Sequence, residues 1–77
     1  MLELFYSESC PYCRKVINYF NEHNIEHELK DINERENFER LMEMGKISQI
    51  PFLIDTDNNV MMYESDKIID YAERKGK

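Results

Sequence analysis

The 77 residues predict an α/β domain in which strands and helices follow the order βαβαββα. Three observations lead there. Residues 2–6, 51–55 and 60–63 are short apolar runs bounded by turn-forming residues, the pattern of buried strands rather than of helices. Residues 11–23, 34–44 and the stretch from 65 onward instead repeat apolar residues at the spacing of one helical face. Between the last two runs, Asp55-Thr56-Asp57-Asn58-Asn59 supplies a hairpin turn of residues that accept positive φ.

In chain order, the first strand carries Leu2, Leu4, Phe5 and Tyr6 and ends in Ser7-Glu8-Ser9. The helix over 11–23 starts at Pro11, where a fixed φ fits and a missing N–H is not needed. It buries Cys13, Val16, Ile17 and Phe20, turns Arg14, Lys15, Asn18 and Glu22 outward, and stops at Asn24. Over 25–32 the pattern weakens: Ile25, His27 and Leu29 alternate with Glu26, Glu28 and Lys30, which predicts an edge strand with His27 partly covered and not catalytic.

Asn33 is the expected cap of a helix over 34–44, with Glu36 completing a capping box and Gly45 as its stop. Phe38, Leu41 and Met42 form its apolar stripe, Glu34, Glu36, Glu39 and Glu43 a solvated face. Arg40 and Lys46 are the basic residues of this region that could face the cysteines. The apolar stretch 48–55 follows, its strand opening on Pro51, a residue confined to first positions and edges. A cis Ile50-Pro51 bond would turn the main-chain groups of Ile50 outward, toward an extended peptide. After the strand at 60–63, Glu64 or Ser65 caps a last helix that buries Ile68, Ile69 and Ala72 and places Arg74, Lys75 and Lys77 at its negative end.

One core must carry a chain of this length, so residues 1–77 are expected to form a single domain. Sixteen acidic against ten basic residues give a net charge of −6, which argues against nucleic acid because no basic stripe exists to neutralise phosphates. No apolar run reaches the length of a membrane span. The opening Met-Leu-Glu-Leu has neither a basic nor an apolar leader region, and two cysteines at close spacing suit reducing cytosol, so a cytoplasmic location is expected.

The chemistry concentrates at Ser9-Cys10-Pro11-Tyr12-Cys13. With Pro11 at the first helical position, Cys10 falls at the cap, facing unpaired N–H groups and the positive end of the dipole. Both favour thiolate over thiol, and Arg14 and Lys15 add charge nearby. Cys13, three residues on, shares the helical face and can close a disulfide, so Cys10 is read as the attacking thiol and Cys13 as the resolving one. Cys10, Cys13, His23 and His27 also spell a superficial zinc-finger string, but the loop is shorter than the usual spacing of about a dozen residues. Two buried structural cysteines are the other bland reading; the proline inside the pair and the strand before it favour redox chemistry. Asp55, Asp57 and Asn59 imitate the start of a calcium loop, yet Val60 stands where that loop needs glycine and Asp66 where it needs a bidentate glutamate.

Cys10-Pro11-Tyr12-Cys13, Ile50-Pro51 and Tyr63-Glu64-Ser65-Asp66, at these separations, resemble a glutaredoxin over nearly the whole chain. The resemblance implies a thioredoxin-like fold, a four-stranded mixed sheet flanked by helices, and thiol-disulfide oxidoreductase activity with glutathione as reductant. It implies that Ile50, before a cis Pro51, holds the glutathione backbone, that Ser65 and Asp66 hold its γ-glutamyl end, and that Tyr12 lies along it. Glutathionylated or disulfide-containing proteins are the implied partners of a monomer that needs no tightly bound cofactor and no metal.

Two positions depart from that family. Ser7 stands where many members carry a lysine, and Met62-Tyr63 replaces a Gly-Gly pair. Tyr63-Glu64-Ser65 is instead similar to the Glu-Ser motif in the N-terminal domain of glutathione transferases, where both residues grip the γ-glutamyl group; its bland reading is a plain helix cap. Two alternatives stand beside the glutaredoxin reading. One is an electron donor, for instance to ribonucleotide reductase, reduced by thioredoxin reductase; the other is an iron-sulfur carrier using Cys10 and glutathione, which Pro11 disfavours. A transferase proper is not expected, since these residues hold no all-helical second domain.

Overall fold

Alternate residues of the central strands are apolar on both sides, so both faces of the sheet need cover. Leu2 and Leu4 of β1 (Leu2–Tyr6) and Leu53 of β3 (Phe52–Asp55) face a core completed by Val16 and Phe20 of α1 (Pro11–Glu22) and Ile68 and Ala72 of α3 (Ser65–Lys75). Phe5, Phe52 and Ile54 point the other way, against Leu41 of α2 (Arg35–Gly45). With β2 (His27–Asp31) and β4 (Val60–Tyr63) the order is βαβαββα, as the sequence predicts. The computed structural model describes residues 1–75, and Lys77 lies outside them.

The sheet runs β2-β1-β3-β4, β1 parallel to β2 and the remaining neighbours antiparallel. β2 therefore is an edge, and His27 within it is half-buried. The register sets Phe5 against Phe52 and Phe52 against Tyr63. Consequently the chain leaving β1 toward Cys10, the chain entering β3 from Pro51 and the chain leaving β4 at Glu64 all meet at one end of the sheet.

At the opposite end Asp55 is wholly buried and ties the hairpin to α3. Its carboxylate accepts from the N–H groups of Asp57 (3.1 Å) and Asn58 (3.4 Å), the Asn58 amide (2.8 Å) and the Tyr71 hydroxyl, and pairs with Lys75 at 3.3 Å. Burial alone would raise its pKa, but these donors and the lysine charge outweigh it and hold the carboxyl well below the usual range. A carboxylate committed to five donors, one of them a cation, has no role as a calcium ligand.

α1 ends as expected, with Asn24 at φ 53° and Ile25 and Asn24 donating to the carbonyls of Phe20 (2.8 Å) and Asn21 (3.4 Å), a Schellman motif. α2 departs from expectation. Its cap is Glu34, without a side-chain cap bond, and no Asn33–Glu36 capping box forms. Asn33 instead donates its N–H to Asp31 (2.9 Å), while the Asn37 amide takes up the Asp31 carbonyl (3.0 Å). The left-handed stop is Lys46, not Gly45. Gly45 is needed for another reason: a Cβ there would collide with the Tyr63 hydroxyl. Of the apolar stripe only Leu41 is buried, because one helix on this face leaves Phe38 and Met42 at its exposed flank.

Candidate active site

Pro11 is the first residue of α1 and Cys10 its N-cap, in extended conformation. The Ser7-Glu8-Ser9 turn fixes that position: the Cys10 N–H donates to the Ser7 carbonyl (3.1 Å) and the Ser7 and Ser9 hydroxyls lie 3.1 Å apart. The Cys13 N–H then donates to Cys10 Sγ at 3.2 Å, the bond a capping side chain makes with the third helical residue. A half-buried sulfur thus receives a backbone donor at the positive end of the helix.

Cys13 contrasts with it. Its side chain is fully buried, and neither cysteine is in a disulfide. Burial, then the hydrogen bond with Cys10 and the Cys10 charge, push the Cys13 thiol up to about 12, against a smaller opposing effect of the Ser7 backbone. The two thiols thus differ: Cys10 is half-buried at the helix cap, and Cys13 is fully buried with its pKa raised.

The Ile50-Pro51 bond is cis, and Ile50 lies outside the ladder, which begins at Phe52. Pro51 is buried and Ile50 half-buried. Across the same end, Glu64 adopts φ 71° and directs the chain into α3 at Ser65, which is buried, and Asp66, which is exposed. Tyr12, 65% exposed, stands opposite. A cavity of about 390 Å³ is lined by Tyr12, Gln49, Ile50, Pro51, Glu64, Ser65 and Asp66. It gathers all six residues singled out in the sequence as ligand-binding and adds Gln49, whose only signal was adjacency to Ile50-Pro51.

The basic residues are elsewhere than expected. Lys15 bonds Asp66 at 2.8 Å, and Lys67 approaches Glu64 at 3.6 Å. Arg40 bonds Glu3 of β1 at 2.9 Å and does not face the dithiol; half-exposed beside a partly buried carboxylate, it belongs to the sheet face under α2. His27 pairs with Leu2 across the strands, at the end of the sheet remote from Cys10, so the finger-like cysteines and histidines do not converge. A larger hollow of about 660 Å³ at that remote end, between Leu2, His23, Ile25 and Ala72, contains neither cysteine.

The family model for the glutathione S-transferase N-terminal domain matches residues 4–76. No curated protein sequence gives a significant match. Among solved structures, a glutathione S-transferase from Methylobacillus flagellatus with glutathione bound is 27% identical, with a TM-score of 0.76 over 94% of this chain and 35% of its own. A trimeric glutathione transferase of Leishmania is 23% identical, with a TM-score of 0.74 over 94% of this chain and 16% of its own. This chain thus spans about a third of the Methylobacillus transferase and about a sixth of the Leishmania one. A thioredoxin-like protein, 15% identical, is covered over 99% of its length with a TM-score of 0.79. The fold is thioredoxin-like.

Proposed function

The chain belongs to the glutathione S-transferase N-terminal domain family, and from that premise we propose that it is a glutathione-dependent thiol-disulfide oxidoreductase of the glutaredoxin kind. The observation that carries this reading is the asymmetry of the dithiol: Cys10 half-exposed and capped by an N–H, Cys13 buried with its pKa raised. A glutathione-conjugating enzyme has no use for a second, shielded thiol three residues on.

In this reading the Cys10 thiolate attacks one sulfur of a protein disulfide or of a glutathionylated cysteine. The S–S bond breaks, one thiol leaves with a proton from solvent, and a mixed disulfide stays on Cys10. Cys13 then surrenders its proton and attacks Cys10 Sγ, releasing the second thiol and closing the Cys10–Cys13 disulfide. Two glutathione molecules return the pair to the dithiol and leave joined as glutathione disulfide. Glutathione would lie along Tyr12, its backbone against Ile50 beside Pro51, and its γ-glutamyl end at Glu64, Ser65 and Asp66. The same reading has residues 1–77 act as one monomeric redox domain in the reducing cytosol, serving disulfide-containing or glutathionylated proteins, without metal or prosthetic group.

Titration with glutathione disulfide, followed by mass measurement, tests it. A single glutathione adduct on Cys10 that resolves to a Cys10–Cys13 disulfide is expected; an adduct on neither residue refutes the reading. One observation favours a second reductant. The cavity lining holds two carboxylates and no cation, so nothing there meets the glycyl carboxylate of glutathione. Turnover with thioredoxin reductase but none with glutathione and its reductase would transfer the assignment to the electron-donor reading.

A further inference from the structure

The groove beside the dithiol carries two carboxylates along one wall and an aromatic ring along the other. Glu64 and Asp66 open α3 on one side, and the exposed Tyr12 ring stands across from them. Gln49, Ile50, Pro51 and Ser65 complete the lining without a charge. The nearest cations are the chain's own lysines, and each is engaged at the rim: Lys15 with Asp66 and Lys67 with Glu64. All four side chains of these pairs are more than half exposed, so such contacts are weak and give way readily to another cation. Arg14, the remaining basic residue of the first turns of α1, acts electrostatically on Tyr6 of β1.

Two carboxylates and a ring face are the partners that an ammonium or guanidinium seeks, the ring through cation–π attraction. A substrate carboxylate beside them is repelled, except where it reaches Ser65 and the N-terminus of α3, which favour an anion. We propose that this site selects its protein substrates by charge, preferring disulfides whose reacting cysteine is flanked by lysine or arginine, with Glu64, Asp66 and Tyr12 as the specificity-determining residues. The proposal rests on the redox reading above and extends it from the reaction to its substrate class. The electron balance is unchanged: the dithiol gives two electrons to the substrate disulfide, and glutathione restores them.

Three peptides test it, identical except for Lys, Gln or Glu beside a single cysteine held in a mixed disulfide with 2-mercaptoethanol. The expected order of kcat/KM is Lys, then Gln, then Glu, with a spread of about tenfold or more at low ionic strength, since charge steering of this kind raises encounter rates by at least that factor. The spread should shrink below about threefold in 0.5 M salt, where the screening length falls to a few Å. In the double variant Glu64→Gln, Asp66→Asn, the Lys-to-Glu ratio should collapse toward unity. Reduction of all three peptides within twofold of one another at low salt overturns the charge selection and leaves the redox reading standing. A Lys preference that survives in the double variant overturns the assignment to these carboxylates. If none of the peptides forms an adduct on Cys10, the redox reading fails and the proposal falls with it.

Discussion

Removing the Asp55 carboxylate should unfold the domain at conditions where the native chain is stable. The side chain is wholly buried and holds two turn N–H groups, the Asn58 amide, the Tyr71 hydroxyl and Lys75. Asp55→Ala leaves the hydroxyl of the half-buried Tyr71 without its acceptor, while the amide of the exposed Asn58 can turn to solvent, and each hydrogen bond to a charged acceptor contributes roughly 1.5–3 kcal/mol. Breaking a buried pair costs about 3–5 kcal/mol; Lys75 is 38% exposed and can turn to solvent, so the lower end, about 3 kcal/mol, applies. For a domain of this size that is a fall in Tm of roughly 12–24 °C. Urea unfolding followed by circular dichroism reads it, and a loss below about 1 kcal/mol would refute the account of the network.

The same carboxyl predicts a pH dependence with a definite sign. Its pKa is lowered in the folded state, so between the folded and unfolded values only the unfolded chain binds the proton. Stability from this group is complete above the unfolded value of about 3.9 and is lost as pH falls through the folded one. Asp55→Asn should therefore show a flatter stability profile below pH 4 than the native chain.

Three further outcomes are expected together. Cys10→Ser should abolish every exchange activity, whereas Cys13→Ser should retain deglutathionylation and lose protein-disulfide reduction; activity surviving in Cys10→Ser would reverse the roles. Iodoacetamide at neutral pH should alkylate Cys10 in the folded protein and spare Cys13, whose thiol is buried and raised in pKa, until denaturant exposes it; mass mapping decides. Gly45→Ala should cost about 1–3 kcal/mol through overpacking against Tyr63, and Tyr63→Phe in the same chain should return much of that loss; simple additivity in a double-mutant cycle would rule out the clash.

The element order and the dithiol were legible because their signals are local. A proline at the start of a helix, an apolar run and an asparagine stop each state their own geometry, and Cys10, Pro11 and Asn24 stand where those rules put them. The capping box at Asn33 failed because Asp31, two residues back, accepts the Asn33 N–H that Glu36 would have taken. Gly45 was misread because its cause lies in Tyr63, eighteen positions away and visible only across packed elements. The Asp55 network escaped for the same reason: Tyr71 and Lys75 reach it from a helix that the chain only later brings alongside. For Ile50, Pro51, Glu64, Ser65 and Asp66, the family resemblance supplied the grouping that periodicity could not.

Among the described residues, four with side chains adopt left-handed backbone angles: Asn24, Lys46, Asn59 and Glu64. At the end remote from the cysteines both are asparagine, which tolerates that conformation; Lys46 and Glu64, which do not, stand on the approaches to Pro51 and to Ser65. Conformational tension is therefore concentrated around the proposed glutathione groove and relaxed at the base, the distribution found where a protein holds a working surface in one shape in advance. Local rigidity, not the reactive sulfur alone, becomes a property that a glycine at either of those two positions would dissipate.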